Sequence, residues 1–290
     1  MKILSIGNFG RGWDGSICDE EHIAGALEEL GHEVSRQQRE ELQIPYGEYD
    51  FILISQWDGY SAVLTTNLRH FNCPVVYWSF DFQEWGQEWH ERLVAGADLY
   101  LSKRIADSKY PNWQYLSQDF APKFLDKSLN LSVEKDIDVL FTGSYLPWAT
   151  ERNETLKAVD EKFNLVIHSV NAWDGFEDVR PPIMDEGLPE LYARAKVILA
   201  IDHTLERGYW SDRMAQIMCC GARPLVRHIP LMESTFHDYV DYFYNIDDCI
   251  EKIRNFGHLG GDDKSYQYAQ ENLKVVNRVK DLLTIVRGIL

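Results

Sequence analysis

The sequence predicts an α/β fold made of two doubly wound, parallel-sheet domains in tandem. Three observations carry this. Short apolar runs without polar alternation recur along the chain, as expected of strands covered on both faces. Each is followed by a segment of helical periodicity, the pattern of parallel strands joined by crossover helices. The rhythm lapses once, over residues 119–136 (DFAPKFLDKSLNLSVEKD), and then resumes. That lapse divides the 290 residues into a domain over 1–120 and a second over 121–290.

In the first half the order is KILSIG, the helix EEHIAGALEELGHEV, YDFILIS, AVLTTNLRHF, PVVYWSF, WGQEWHERLVAG and ADLYLS. The helix over 20–31 shows the logic: Ile23, Ala26, Leu27 and Leu30 share one face, and Gly31 ends it. The second series runs DVLFTG, a helix around ERNETLKAVDEKF, LVIHSV, LPELYARA, KVILAID, SDRMAQIMCCG, ARPLVRH, IPLMESTF, VDYFYN and DDCIEKIRNF. The tail YAQENLKVVNRVKDLLTIVRGIL reads as one long amphipathic helix. Ligands of doubly wound sheets sit beyond the carboxyl ends of the strands, which places the expected ligand cleft between the two domains.

The composition narrows the partners. With 29 basic against 46 acidic residues the formal net charge is −17. This argues against a broad footprint on nucleic acid or anionic lipid, where affinity comes largely from Lys and Arg against phosphate. MKILSIGNFG reads as a first strand entering a glycine loop, not as a signal peptide. No run approaches the ~18 apolar residues of a membrane helix. The five cysteines, Cys18, Cys73, Cys219, Cys220 and Cys249, show no metal-ligand spacing and read as reduced thiols of a cytoplasmic protein.

Against this acidic background RGYWSDRMAQIMCCGARPLVRH (Arg207–His228) gathers four arginines around one helix. Ser211 is placed as its N-cap and Gly221 as its stop, giving a helix over about 212–220. Strand, loop and helix amino terminus in that order offer free N–H groups to an anion. Arg207 and Arg213 flank that end, and guanidinium groups suit bidentate phosphate contacts. A second such loop follows DVLFT, where Gly143 and Ser144 precede Arg152. Each arginine alone reads equally well as a solvated residue paired with Glu151, Glu154 or Asp212. The two loops together favour a diphosphate.

LYARAKVILAIDHTLERGYWSDRMAQIMCCGARPLV resembles the donor-binding signature of GT-B glycosyltransferases of the group-1/family-4 kind, including the spore-coat glycosyltransferase-like subgroup. GNFGRGWDGS resembles the glycine-rich loop facing the acceptor, and DVLFTGS with Arg152 resembles the phosphate loop opening the second domain. The resemblance implies two Rossmann-like domains, with the last helix, about 268–290, packing back on the first. It implies transfer of a sugar from a nucleoside diphosphate sugar, metal-independent and, by analogy, retaining. Its donor set comprises Gly143, Ser144, Arg152, His168, Met184, Arg207, Tyr209, Ser211, Arg213 and Gln216. His168–Asn171 with Ile183 and Met184 fall where the base is held. Gln216 stands where the family has a Glu that accepts the ribose hydroxyls; an amide carbonyl still accepts, without the carboxylate's charge.

On the acceptor side Asp14, in the glycine loop, and Asp81, after PVVYWSF, are the candidate bases, with His90 as a rival and loop-holding or capping as the alternative roles. Gly12, Trp13, Trp57 and Trp85 are the candidate acceptor contacts, with Trp78 and Trp89 as further rings. Trp85 and Trp89 are four apart and also fit a core stripe. Asp136 and Asp138 form an Asp-x-Asp, but at the entry to a strand and away from the carboxyl edge, so no metal is expected. Gly7, Gly10 and Gly12 run GxxGxG, not GxGxxG, and Glu33 falls at the wrong end of its strand for a dinucleotide site. Two other functions stay open: a non-catalytic nucleotide- or sugar-binding relative, and a nucleotide-sugar epimerase.

Overall fold

KILSIG becomes β1 (Lys2–Gly7), with every residue from Ile3 to Gly7 buried. A strand with no wet face needs cover on both sides, and the rest of the fold supplies it. The computed structural model describes residues 1–12, 15–39, 47–55, 71–80, 88–118, 120–122, 125, 133–255 and 263–290. The chain folds as two units: Met1–Gln118 together with Val275–Leu290, and Asp119–Lys274.

In the first unit β1 is joined by β2 (Glu33–Gln38), β3 (Phe51–Ser55), β4 (Val75–Ser79), β5 (Leu99–Ser102) and β6 (Trp113–Tyr115) in an all-parallel sheet ordered β2-β1-β3-β4-β5-β6. The central strands are continuously apolar, whereas edge strand β2, EVSRQQ, is polar and half-exposed, as an edge position allows. Helix α1 (Asp19–Glu29) buries Ile23, Ala26 and Leu27. It ends where Gly31 takes φ +84° and the His32 N–H reaches the Leu27 carbonyl at 3.1 Å, a left-handed stop that glycine accommodates without a Cβ clash. Helix α2 (Glu88–Gly96) carries His90, which is buried with its Nδ1 3.1 Å from the Tyr77 hydroxyl.

In the second unit β7 (Ile137–Thr142), β8 (Leu165–His168), β9 (Asp178–Arg180), β10 (Ala195–Ala200), β11 (Pro224–Arg227) and β12 (Asp241–Phe243) form a parallel sheet ordered β12-β11-β10-β7-β8-β9. β7 sends Val139 and Phe141 to one face, under α3 (Thr150–Asp160) and α7 (Ile246–Asn255), and Leu140 to the other. That other face is covered by α4 (Leu188–Arg194), α5 (Arg213–Cys219) and α8 (Asp263–Asn272), with α6 (Met232–Phe236) between β11 and β12. From β7 the chain winds out through β8 and β9, then returns to place β10 on β7's other side. The strand order therefore reverses between β7 and β10, and a crevice opens beyond their carboxyl ends.

Two readings of the sequence are corrected here. The tail is not one helix: α8 stops at Asn272, and α9 (Val275–Val286) packs on α1 of the first unit. Leu273 is buried in the second unit's core and its carbonyl accepts the Ala121 N–H at 2.7 Å, so the chain must leave helical geometry there. Nor is Ser211 the cap of α5. The helix begins one residue later, after Asp212, and neither residue's side chain caps it.

All five cysteines are free thiols. Burial pushes Cys219 and Cys249 up to about 12, so both are inert core groups at neutral pH.

Candidate functional site

At the end of β7 the backbone turns through Gly143 at φ +154°. A Cβ there would lie 2.9 Å from Arg213 Nη2 and 3.1 Å from the Phe141 ring, so the absent side chain is what lets the Arg213 guanidinium lie against the loop. The loop is stapled to β8. Gly143 N–H donates to the His168 carbonyl at 3.0 Å, Trp173 Nε1 donates to the Gly143 carbonyl at 3.2 Å, and Asn171 bonds both the N–H and the carbonyl of Tyr145. The Gly143 N–H is thus spent internally and is not one of the anion donors that the sequence suggests.

Arg152, in the first turn of α3, is 4% exposed. Its Nη2 donates to the Ser144 carbonyl at 2.8 Å, its buried Nε has no partner, and no carboxylate lies within ion-pair distance among the described residues. Glu151, the neighbour expected to neutralise it, instead pairs with Arg227. Burial, with the charge of Arg213 second, pushes Arg152 down to about 10, still cationic at neutral pH. Both guanidinium groups sit over Phe141, at 5.8 Å for Arg152 and 5.2 Å for Arg213, and Arg152 lies also 5.7 Å from the Trp173 ring. Two cations sharing one ring repel, and an anion between them relieves that repulsion.

Asp202, just past β10, is the counter-charge that the sequence analysis missed. It is buried, accepts the Ser211 N–H at 3.2 Å and stands 3.9 Å from Arg213 Nη1. Arg213 also donates to the Ile201 carbonyl at 3.3 Å. The Ser211 hydroxyl is buried with no partner in the same corner. Two cations against one carboxylate leave the cluster positive. The signal for Asp202 lay in plain sight, an acidic residue closing the apolar run KVILAID.

The remaining candidates separate. His168 ends β8 with its Nδ1 2.7 Å from the Pro181 carbonyl, so Nδ1 carries the proton and Nε2 is the acceptor; burial holds its pKa below 6.5. Tyr209 is buried with its ring edge-on to His203. Gln216 turns its amide N–H to the Asp212 carboxylate. Met184 is half-buried ahead of a short 3₁₀ turn, and Arg207 is exposed on the loop before α5.

In the first unit Gly12 donates its N–H to the Ser16 carbonyl at 2.8 Å within a turn closed by Cys18 N–H on the Gly10 carbonyl at 2.9 Å. Trp13, Asp14, Trp57, Asp81 and Trp85 lie outside the described residues. Trp78 is fully buried, which leaves its ring no face for a sugar, while Trp89 is half-buried against the core. His90 sits among the rings of Tyr77, Trp89 and Tyr100, which makes it a core group and not a base. Asp136 and Asp138 are held by Arg194 (Nε at 2.8 Å) and Lys196 (Nζ at 2.5 Å), as ion-paired residues at a strand entry.

Residues 151–280 match the model of a family described as glycosyl transferase-like. An alpha-glucosyltransferase solved with UDP and a 13-mer DNA superposes at TM-score 0.71 and 13% identity, over 99% of each chain. Sucrose-phosphate synthase from Thermosynechococcus elongatus gives TM-score 0.67 at 12% identity, over 99% of this chain and 98% of that one. These solved glycosyltransferases share the fold of the chain, and the glycosyl transferase-like match takes in somewhat less than half of it. The fold is GT-B, with two Rossmann-like units. Anabaena HepE, solved with UDP-glucose, likewise matches this chain at TM-score 0.62 and 12% identity, over 99% of this chain and all of that one. No curated protein matches by sequence. The family match covers Arg152, Asp202, Arg213 and Gln216. Among the described residues no helix is long and apolar enough to cross a membrane.

Proposed function

We propose that this protein is a glycosyltransferase that moves a sugar from a UDP-sugar to a hydroxyl acceptor, using its arginine pair in place of a metal. The observation that carries the reading is the buried, carboxylate-free Arg152 beside Arg213 at the topological switch of the second unit. A site that holds two cations together without balancing them is built for a ligand that brings the missing charge. UDP is the nucleotide named with the alpha-glucosyltransferase that superposes on the chain, and HepE was solved with UDP-glucose.

The chemistry follows from the charges. Breaking the bond between sugar and diphosphate leaves a negative charge on the departing phosphate, and guanidinium groups already in place stabilise it without reorganisation. Because α5 has only seven residues, the arginines carry more of this than the helix end. The partnerless Ser211 hydroxyl is a further donor to the same oxygens. His168 Nε2 is an acceptor for a base N–H, which uracil possesses. Asp14 and Asp81 are the proposed bases for the acceptor hydroxyl, with Gly12, Trp13, Trp57 and Trp85 around it. The acceptor is a carbohydrate-bearing or other hydroxyl molecule; the charge of −17 argues against a broad nucleic-acid footprint.

The test is a thermal-shift screen against nucleoside diphosphates and nucleotide sugars, in EDTA and in Mg²⁺, since a ligand of the native state raises the midpoint. A shift by uridine nucleotides that EDTA leaves unchanged is the expected result. A shift that requires Mg²⁺ overturns the metal-free reading, and no shift with any nucleotide overturns the donor site.

A further inference from the structure

The first turn of α3 carries two side chains with opposed demands. Glu151 suits the position, because a helix amino terminus favours a carboxylate. Arg152, the next residue, has to stay unneutralised if it is to meet a diphosphate. Consecutive helix positions point about 100° apart, but here both side chains line one pocket of about 190 Å³, together with Asp202 and Arg227. A carboxylate so placed is drawn to the buried Arg152 guanidinium, whose Nε has no partner. The competing attraction comes from Arg227, 76 residues on, at the end of β11: its Nε donates to Glu151 Oε1. That guanidinium is itself anchored. Its Nη1 donates to the His228 carbonyl at 2.9 Å, and the His228 N–H extends the β11–β12 ladder onto the Phe243 carbonyl at 2.9 Å. With 15% of the Arg227 side chain exposed against 42% of Glu151's, the sheet supplies the fixed partner and the helix the one with room to turn. Asp202, the other carboxylate of the pocket, is committed to the Ser211 N–H and to Arg213.

We propose that Arg227 is a positioning residue for the diphosphate site: by holding Glu151 it keeps Arg152 uncompensated and open to phosphate. The inference rests on the donor reading above. In this role Arg227 touches neither sugar nor phosphate; it acts by occupying a competitor. Without it, Glu151 and Arg152 pair inside the pocket, and a nucleoside diphosphate has to displace an internal carboxylate before it reaches the guanidinium. The exchange also changes what Arg152 does to the empty protein. A bare buried cation costs stability, whereas one paired with Glu151 is costly to remove.

Arg227→Met, Glu151→Gln and their double variant, made in the full chain, test this by calorimetry of UDP in EDTA and by ligand-free melts. Arg227→Met is expected to weaken UDP roughly tenfold. Glu151→Gln alone leaves UDP affinity within about twofold, and added to Arg227→Met it restores the affinity to within about threefold of the wild type. If the two charges acted only through their field, Glu151→Gln would strengthen UDP by the same factor in both backgrounds; that result overturns the proposal, as does wild-type affinity in Arg227→Met. The melts read the same exchange without ligand. Arg152→Met leaves the midpoint of the wild type unchanged or raised, lowers that of Arg227→Met by roughly 2–4 °C, and loses this effect once Glu151→Gln is present. The same response to Arg152→Met in all three backgrounds overturns the proposal. Arg227→Gln, whose amide can still donate to the His228 carbonyl, repeats the comparison without the charge if Arg227→Met does not fold. If the wild type does not bind UDP, the donor reading falls on that result alone, and the melts still decide whether Arg227 keeps Glu151 from Arg152.

Discussion

Arg152 and Arg213 share the ring of Phe141, with guanidinium carbons 5.8 and 5.2 Å from its centroid, while Glu151 is drawn off to Arg227. The arrangement costs the empty protein stability, because a buried charge without a counter-ion is expensive. Arg152→Met is therefore expected to leave the ligand-free melting temperature unchanged or raised, and to reduce the rise that UDP produces. Thermal melts of both proteins with and without UDP check this.

Gly143→Ala tests the approach of loop and arginine. The positive φ and the 2.9 Å clash with Arg213 Nη2 act together, so a loss of about 1–3 kcal/mol in stability is expected. A parallel drop in UDP affinity follows from the displaced guanidinium. Urea denaturation and calorimetry measure the two effects separately.

Acid should destabilise the protein through its buried histidines. Burial holds His90 and His168 below the ordinary 6.5, so the unfolded chain takes up protons first as the pH falls. Stability is then flat above about pH 6.5 and is lost below it, by up to ~1.4 kcal/mol per pH unit for each histidine. Melting curves from pH 8 to 5 show this slope, and His90→Gln, which still offers Tyr77 a partner, should reduce it.

Asp14→Asn and Asp81→Asn divide binding from chemistry. Each should leave UDP affinity within about twofold, and the one that supplies the base should lower transfer by ~10²–10⁴-fold. Wild-type turnover in both removes these carboxylates from the mechanism.

Much of this was legible in the sequence. KILSIG, FILIS and KVILA declare buried strands by their unbroken apolarity, and the two glycine-and-arginine loops mark the carboxyl edge of the second sheet. What stayed hidden depends on partners far apart in the chain. No local pattern says that Glu151 pairs with Arg227 and leaves Arg152 bare, or that the Leu273 carbonyl is claimed by Ala121 and breaks the last helix. Asp212 rather than Ser211 precedes α5 because Ser211 is held by Asp202. Trp78 reads from composition as a sugar platform, yet its place in a central strand buries it.

The most direct test of the account is calorimetric titration of UDP-glucose, in EDTA, into the wild type and into Arg152→Ala, Arg213→Ala and their double variant. Each single change is expected to cost about 1.5–3 kcal/mol, the value of a hydrogen bond to a charged group, and the double change roughly a hundredfold or more in affinity. Wild-type affinity in the double variant would contradict the claim that these two arginines hold the diphosphate.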